Sequence, residues 1–317
     1  MLGRADTHVH TKYSGFGSLG PLFFPESVSD PEDVVKHATK LGDDVLCITD
    51  HNTMKGAFKA REAARAYDNL DLVMGEEINT TDGEIIGLWL NEEIPRGMTA
   101  EETIDAIRDQ GGIVVAPHPF SLHVPALQDR IFELDIDAIE TINAGHIDSY
   151  SNSHAQRIAN MYGRWATLGA SDAHSMPTMG HAWTEYRGLG EDDLRRCILK
   201  KECYARGYCV PIDKAIDWSI GVVMQADMQI IKSMLGLIRS HDAEDPMQCK
   251  IQALPTHKKI LGLIGSFFYL LPPVPHVASI ASGRWFSKRI KQKLIAEKPD
   301  TNSMDMKSTE RSVDDLR

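Results

Sequence analysis

The chain has 317 residues, of which 42% are hydrophobic and 25% are charged, a composition that suits one large globular domain with an appendage. Its formal net charge of −11 argues against long duplex nucleic acid as a partner, because duplex affinity rests largely on neutralising phosphates. A local basic groove or bound cations would still capture a short phosphorylated substrate. Five cysteines without tight paired spacing, and no signal peptide, predict reduced thiols in the cytoplasm.

Short segments with the character of buried strands recur through the first two thirds of the chain. They are apolar or β-branched and end at Gly, Asp, Asn or Pro, as strands inside a sheet do. The predicted strands are residues 4–10, 45–49, 70–77, 85–90, 112–116, 138–142 and 166–170. Helix-starting signals lie between them at Asp30, which precedes Pro31, and at Thr99, and the helices are predicted to end near Lys40 and Gly111.

Strands that alternate with helices form right-handed crossovers and a mainly parallel sheet. Seven such strands are enough to close a barrel. One helix is missing, because the third and fourth strands turn directly through Asp82-Gly83. The predicted fold class is therefore an α/β barrel with one irregular connection, over residues 1–211.

A different kind of sequence follows Pro211. Residues 212–297 are predicted to form a helical, apolar C-terminal appendage, and residues 298–317 a disordered tail. Prolines at 272, 273 and 275 leave only residues 260–271 as a clean apolar run, shorter than the roughly 20 residues that span a bilayer. With its flanking basic residues, the segment 258–293 is interpreted as a peripheral membrane contact, a surface packed on the barrel, or a dimer interface. The oligomeric state stays open.

Ligand-type side chains gather at the carboxyl ends of the predicted strands, which in a barrel converge on one mouth. His8 and His10 lie two residues apart on the first strand, so both imidazoles project to one face. Four further strands end in Asp50-His51, Glu76-Glu77, His118 and Asp172-Ala173-His174. Taken singly, each of these residues is as readily a helix cap, a turn residue or a core histidine as a metal ligand. Their coincidence at separate strand ends indicates a metal site.

The mixture of side chains restricts which metal ions the site would bind. Imidazoles combined with carboxylates suit zinc, manganese or iron, whereas calcium prefers an all-oxygen shell. About seven candidate ligands are too many for one tetrahedral ion. Two or three divalent ions that share a bridging carboxylate fit better.

The motifs His8-Val9-His10, Thr49-Asp50-His51-Asn52, Gly75-Glu76-Glu77, His118-Pro119 and Ser171-Asp172-Ala173-His174 resemble, in order and spacing, those of the PHP (polymerase and histidinol phosphatase) superfamily. The resemblance covers residues 4–211 and implies a distorted (βα)7 TIM-like barrel, a di- or trinuclear metal centre and phosphoester hydrolysis. The implied metal ligands are His8, His10, His51, Glu77, His118, Asp172 and His174. Glu77 is the implied bridge because the family pattern is Gly-x-Glu, and Glu76 is expected to support the site or face the surface.

Two positions depart from the family pattern. Many relatives carry Asp or His a few residues after the first motif, where this chain reads Ser14-Gly15-Phe16. The fourth strand often supplies a histidine before an apolar-Gly-Leu run, where this chain has Glu84. The first ligand position is therefore lost, and at the second Glu84 is a candidate carboxylate ligand in place of the histidine, so the number of ions stays open between two and three.

The chemistry that the resemblance implies is metal-assisted hydrolysis. Bound ions lower the pKa of water to give hydroxide near neutrality and stabilise the charge that develops during phosphoryl displacement. Asp50, beside His51, is predicted to orient that ligand or to accept a proton. Lys12 and Lys55 are candidates for binding phosphate oxygens, against the alternative that both are solvated loop lysines.

The expected function is hydrolysis of a small phosphate monoester or a short nucleotide. One alternative keeps the metal centre but attacks a carbonyl carbon, as an amidohydrolase does. Another is a non-hydrolytic binding module that acts through the C-terminal region. The retained set of ligand-type residues argues against that second alternative.

Overall fold

The structure is a computed structural model that describes residues 1–19, 22–146, 149–238 and 245–278, with residues 280, 281, 284 and 288 beyond them. Contacts divide the chain into two compact units, Met1–Ser279 and Ile280–Arg317. The barrel and the helices that follow it directly belong to the first unit. The predicted tail, 298–317, lies outside the described residues.

Strands and helices alternate along the first unit. The strands are β1 (Leu2–Val9), β2 (Phe16–Leu19), β3 (Leu22–Pro25), β4 (Val45–Ile48), β5 (Asp71–Asn79), β6 (Glu84–Leu88), β7 (Ile113–Ala116), β8 (Ala138–Asn143), β9 (Ala166–Ala170), β10 (Ala182–Arg187) and β11 (Tyr204–Gly207). The α-helices are α1 (Pro31–Leu41), α2 (Lys55–Ala64), α3 (Ala100–Asp109), α4 (Ser149–Tyr162), α5 (Glu191–Lys200), α6 (Ile212–Met234), α7 (Pro246–Ala253) and α8 (Thr256–Leu270).

Nine of these strands form one sheet in the order β11-β10-β1-β4-β5-β6-β7-β8-β9. The seven predicted strands are β1 and β4 to β9, and they follow one another in chain order around the sheet. The His10 backbone N–H donates to the Ala173 carbonyl oxygen (3.0 Å) and links the end of β1 to the residues after β9. The sheet therefore closes almost completely, and the predicted distorted α/β barrel is confirmed.

The irregular connection lies where the sequence predicts it. β5 and β6 pair antiparallel, with Asn79 opposite Glu84, and the Thr80 N–H donates to the Gly83 carbonyl oxygen (2.9 Å) across the turn. Gly83 adopts a φ of +145°, and a Cβ there would lie 2.7 Å from the carbonyl carbon of Ala126. Only glycine fits this turn without strain. β7 is also antiparallel to β6, and this local reversal distorts the barrel.

Local capping signals fix the helix starts. The Asp30 side chain accepts a hydrogen bond from the Glu32 N–H (3.1 Å) at the start of α1. Thr99 and Glu102 form a reciprocal capping box at the start of α3. Both helices begin at the predicted cap because these side chains satisfy backbone N–H groups that the helix leaves unpaired.

Four strands were not predicted: the β2–β3 hairpin, β10 and β11. β10 pairs antiparallel with β1, and β11 with β10, so they extend the sheet beyond its predicted edge. β2, β3 and β11 have four residues each, which is too short to show a clear side-chain period.

In the described part of the first unit, three helices follow the barrel. α6, α7 and α8 pack around Ile230, Met247 and Ile251, with Leu263 of α8 against them. In the part of the chain that the structure describes, no helix is both long enough and apolar enough to cross a membrane.

Candidate metal centre

The strand ends meet around the carboxylate of Glu77, near the end of β5. Its Oε2 lies 3.1 Å from His8 Nε2, 3.3 Å from His10 Nε2 and 3.2 Å from His51 Nδ1. Its Oε1 lies 3.0 Å from His118 Nε2. A single buried carboxylate thus contacts imidazoles from three separate strand ends with both of its oxygens, which is the arrangement a bridging ligand needs.

The first group of potential ligands joins β1 to the residues after β9. His8 Nε2 and His10 Nε2 are 2.9 Å apart, and both side chains are fully buried. Asp172 Oδ1 lies 3.5 Å from His8 Nε2 and 3.2 Å from His10 Nε2. These three side chains each offer a ligand atom within 4.8 Å of the others, so together they could hold one ion.

A second group contains His51, Glu77 and Glu84, again with ligand atoms within 4.8 Å of one another. Glu84 Oε1 lies 3.8 Å from His51 Nδ1, and its Oε2 lies 3.6 Å from His118 Nε2. The Asn79 side-chain amide donates to Glu84 Oε1 (2.6 Å) and fixes the carboxylate. Glu84 therefore lies beside the predicted ligands, at the place where relatives carry a histidine.

A third group contains His10, His51 and His174. The rings of His174 and His51 both stack on His10, with centroid separations of 4.2 Å and 4.6 Å. Glu26, which sequence analysis did not select, places its Oε2 3.1 Å from His51 Nε2. Glu26 follows the short strand β3, and no motif marks it, because its proximity depends on long-range packing of the β2–β3 hairpin.

Glu140 on β8 is a second carboxylate that sequence analysis missed. Its Oε1 accepts a hydrogen bond from His8 Nδ1 (2.8 Å), which leaves His8 Nε2 facing the cluster. Its Oε2 accepts from the His118 backbone N–H (2.9 Å) and from the Asn143 amide (2.8 Å). A glutamate inside an otherwise apolar and β-branched strand was the available signal.

Asp50 is fully buried, and its carboxylate accepts hydrogen bonds from the Thr11 and Ser14 hydroxyls. Its Oδ1 accepts from Ser14 Oγ (2.7 Å), and Ser14 Oγ lies 2.8 Å from His10 Nδ1. Asp50 thus orients His10 through Ser14, a different ligand from the one predicted. Gly56 near the start of α2 leaves the necessary room, since a Cβ there would lie 1.9 Å from Asp50 Oδ2.

Inner histidines of the cluster hold protons strongly. Burial opposes a charge on His10 and His118, but hydrogen bonds to Glu77 and, for His10, to Asp172 outweigh it and raise the pKa of each imidazole to about 9. Burial also opposes a charge on Glu77, yet His8 and the neighbouring histidines hold the pKa of its carboxyl well below the usual range. The inner carboxylates therefore draw positive charge onto their neighbours.

Outer groups of the cluster lose charge instead. Burial raises the pKa of Glu26 to about 7, and burial together with the charge of Glu77 raises that of Glu84 to about 8. Burial lowers the pKa of His51 to about 4 and that of His174 to about 3. Burial thus favours the uncharged form of all four groups, which for an imidazole is the form that binds a metal ion.

The donor atoms fit divalent cations. The carboxylate oxygens and imidazole nitrogens face one another at 3.0–3.8 Å with little access to water. Buried carboxylates require a counter-ion, because an unpaired buried charge costs several kcal/mol. Mixed nitrogen and oxygen donors are the ligands of zinc, manganese and iron.

The backbone is strained at two of the predicted ligands. His118 has a φ of +30° and Asp172 a φ of +48°, in the left-handed region that costs a non-glycine residue about 1–3 kcal/mol. The His118 N–H is held by Glu140, and Asp172 Oδ2 accepts from the Asn143 amide (3.1 Å). Such strain is typical of functional sites, where surrounding contacts over-determine the conformation.

A cavity of about 1230 Å³ opens at the cluster. Besides the ligand-type residues, its lining includes Asn52, Thr53, Lys55, Arg96, Val124 and Trp218. Lys55 and Arg96 are exposed, and within the described residues neither is ion-paired. Lys12 lies elsewhere: its Nζ pairs with Asp30 (2.6 Å) and Asp245 (3.5 Å), and it lines a separate cavity.

Comparison with known proteins agrees with this geometry. The PHP domain model matches residues 6–157, and the PHP-associated model matches residues 149–203. The chain belongs to the PHP family. The sequence-based assignment to that superfamily is thereby confirmed.

Two relatives of this PHP protein are uncharacterized proteins of Methanocaldococcus jannaschii. MJ1587 is 49% identical over 152 residues, which are 48% of this chain and 88% of that protein. MJ0417 is 34% identical over 201 residues, which are 60% of this chain and 75% of that protein.

A solved structure from Bacteroides vulgatus shares the fold of this PHP protein. It is a two-domain protein described as containing a predicted PHP-like metal-dependent phosphoesterase, with a TM-score of 0.54 and 15% identity. The match covers 66% of this chain and 65% of that one. At this identity the likeness establishes the architecture alone.

Proposed function

We propose that this protein is a metal-dependent phosphoesterase that hydrolyses a small phosphate monoester or a short nucleotide. The observation that carries the proposal is Glu77, whose two oxygens contact His8, His10 and His51 on one side and His118 on the other. This position suits a carboxylate shared between two ions. Family membership supports the same chemistry.

The proposed ligands are His8, His10, His51, Glu77, Glu84, His118, Asp172 and His174. Two or three divalent ions, zinc, manganese or iron, bound by these residues would supply the Lewis acidity that activates water and balances phosphoryl charge. Glu26 is a further candidate, because it offers a carboxylate to His51 where Ser14 replaces the ligand of the family pattern.

Residues behind the ligands hold them in place. Glu140 keeps the His8 ring oriented with Nε2 toward Glu77, and Asp50 does the same for His10 through Ser14. We expect these positioning residues to matter for metal affinity, because such partners typically contribute about 10–100-fold. In this proposal Asp50 orients a ligand and takes no proton from substrate.

The volume and charge of the barrel mouth suit an anionic substrate of modest size. Its cavity of about 1230 Å³ is somewhat larger than the usual range of small-molecule sites. Lys55 and Arg96 line it as exposed cations, in a chain whose net charge is −11. We expect them to bind phosphate oxygens that the metal centre does not hold, whereas the amine of Lys12 is occupied by Asp30.

The test compares two adjacent glutamates. Protein purified without chelators is assayed for bound metals and for phosphate release from phosphate monoesters and short 5′-phosphorylated oligonucleotides with added manganese or zinc. Glu77→Gln is expected to lose bound metal and reduce kcat by about 1000-fold or more, because it removes a charge shared by the ions. Glu76→Gln is the matched control, since Glu76 is equally buried but binds the Ile94 N–H (2.8 Å) away from the cluster.

The outcomes separate the alternatives. Two or more ions per chain, with phosphate release lost in Glu77→Gln and retained in Glu76→Gln, would support the proposal. Hydrolysis of amides or carboxylic esters without phosphate release would contradict it in favour of amidohydrolase chemistry. Metal-free protein that hydrolyses none of these substrates would contradict both and favour a binding module.

A further inference from the structure

One side of α8 carries a continuous set of exposed apolar side chains, here named the apolar face. Its members are spaced by three or four residues or are adjacent in sequence, so they lie on the same side. They are Ile260, Leu261, Ile264, Phe267, Phe268 and, directly after the helix, Leu271. Leu261, Phe267 and Phe268 keep 63%, 62% and 61% of their surface exposed. A contiguous apolar patch of this kind marks an interaction site in a folded protein.

The opposite side of α8 is fixed to the rest of the unit. Leu263 packs beside Ile230, and the Tyr269 hydroxyl donates to Ser219 Oγ (2.9 Å) on α6. Lys259 Nζ donates to Ser233 Oγ (2.8 Å), also on α6. Because these contacts set the rotation of the helix, the apolar face is held outward and is not a consequence of a loosely placed segment.

The segment of sequence that contains the apolar face differs in the sign of its charge from the whole protein. Residues 246–296 contain no Asp or Glu, although the chain has a net charge of −11. The basic residues in this range are Lys250, Lys258, Lys259, Arg284, Lys288, Arg289, Lys291 and Lys293. Lys258 is exposed at the start of α8, next to the first residues of the apolar face.

We propose that the apolar face docks onto an anionic lipid surface, with α8 lying in the plane of the interface. The helix has 15 residues and is about 22 Å long, shorter than the roughly 30 Å hydrocarbon core of a bilayer. Phe and Leu side chains enter the boundary between headgroups and acyl chains, while neighbouring lysines bind lipid phosphates. Because this segment of the chain is basic, an anionic membrane is a better partner than a neutral one.

A second copy of the chain is the competing occupant. A two-fold interface would place the same surface on both subunits, so each copy would bring its exposed Lys258 into the interface. Like charges across an interface cost free energy. This repulsion favours binding to lipid over self-association of the chain. The membrane proposal does not depend on the proposed hydrolase activity.

The test is co-sedimentation of the full-length protein with vesicles of phosphatidylcholine mixed with phosphatidylserine, and with vesicles of phosphatidylcholine alone. We expect binding to the mixed vesicles that weakens with salt. Replacing both Phe267→Asp and Phe268→Asp should lower the partition coefficient about tenfold or more, because each ring contributes apolar burial. Lys258→Gln should lower it about fivefold, since one basic residue near the surface contributes about 1 kcal/mol.

The matched control is Met161→Asp with Leu199→Asp, which adds the same two charges at exposed apolar positions of the barrel helices (67% and 55% exposed). Its vesicle binding should equal that of the unchanged protein, apart from a small charge effect. Thermal unfolding of each variant checks that it is folded. Absence of binding to mixed vesicles, equal loss in the control pair, or a concentration-dependent dimer that only the Phe267 and Phe268 changes dissociate would overturn the proposal.

Discussion

The barrel mouth and α8 depart from the usual distribution of residues in opposite ways. The mouth buries carboxylates such as Glu77 and Glu84, whereas α8 exposes Phe267 and Phe268 and has Lys259 as its buried residue. Proteins ordinarily bury apolar side chains and leave charged ones in water. Each departure suits a different proposed partner: cations at the mouth and an anionic lipid surface at α8.

The largest expected effect is that of removing metal from the mouth. Protein loaded with manganese or zinc and then treated with a chelator should unfold at a lower temperature, because ions that bind only the folded state stabilise it by about 4 kcal/mol at 1000 times Kd. Differential scanning calorimetry measures the change. Vesicle binding by α8 should persist below the new unfolding temperature, so its loss in parallel would contradict the independence of the two regions.

A substitution of Glu26 tests whether the proposed metal site includes this carboxylate. Glu26→Gln is expected to lower the metal content by up to one ion and reduce kcat by about 10–100-fold, a smaller loss than for Glu77→Gln, because Glu26 contacts His51 alone among the proposed ligands. Metal analysis and phosphate release measure the two quantities. Glu32→Gln, an exposed glutamate on α1, is the control, and equal activity of both variants would exclude Glu26 from the site.

Asp43 is a buried carboxylate outside the proposed set of metal ligands. Its Oδ1 accepts from Arg4 Nε (2.6 Å), but burial outweighs this partner and raises the pKa of its carboxyl to about 6. A raised folded-state pKa means that the folded form binds the proton more tightly. This contribution to stability is therefore present below about pH 4 and is lost as the pH rises to 6.

The variant Asp43→Asn removes that titration. The free energy of unfolding of the variant minus that of the unchanged protein should increase by up to about 3 kcal/mol from pH 4 to pH 6. Loss of the Arg4 contact adds a constant to this difference and does not change its slope. Denaturant unfolding at several pH values measures this slope. Asp68→Asn, which removes an exposed carboxylate, is the control, and a flat difference for Asp43→Asn would mean that burial does not control its carboxyl.

Sequence patterns predicted the barrel strands and the motif residues because both depend on local spacing. His8 and His10 share a face through the strand period, and Glu84 could be selected because it stands at a fixed place before Ile85-Ile86-Gly87. Glu26 and Glu140 were missed for the opposite reason. Their contacts to His51 and His8 span 25 and 132 positions and exist only once the chain is folded.

The role of Asp50 shows the same limit. Its place beside His51 in the chain predicted an effect on that ring, but on a strand end adjacent side chains point apart. The folded chain brings Asp50 to Ser14 and, through it, to His10. Adjacency in sequence was therefore a poor guide to which imidazole a carboxylate orients, whereas the proposed ligands were selected from the motifs that resemble the PHP pattern.

The direct turn between β5 and β6 also affects the order in which the site is assembled during folding. Glu77 and Glu84 belong to one hairpin, with Asn79 paired to Glu84, so these two carboxylates meet through contacts of low sequence separation. His8 and Asp172 meet only when the first and ninth strands come together. Because local pairings form faster than distant ones, we expect an early hairpin that already presents two carboxylates, and histidine ligands that arrive at barrel closure.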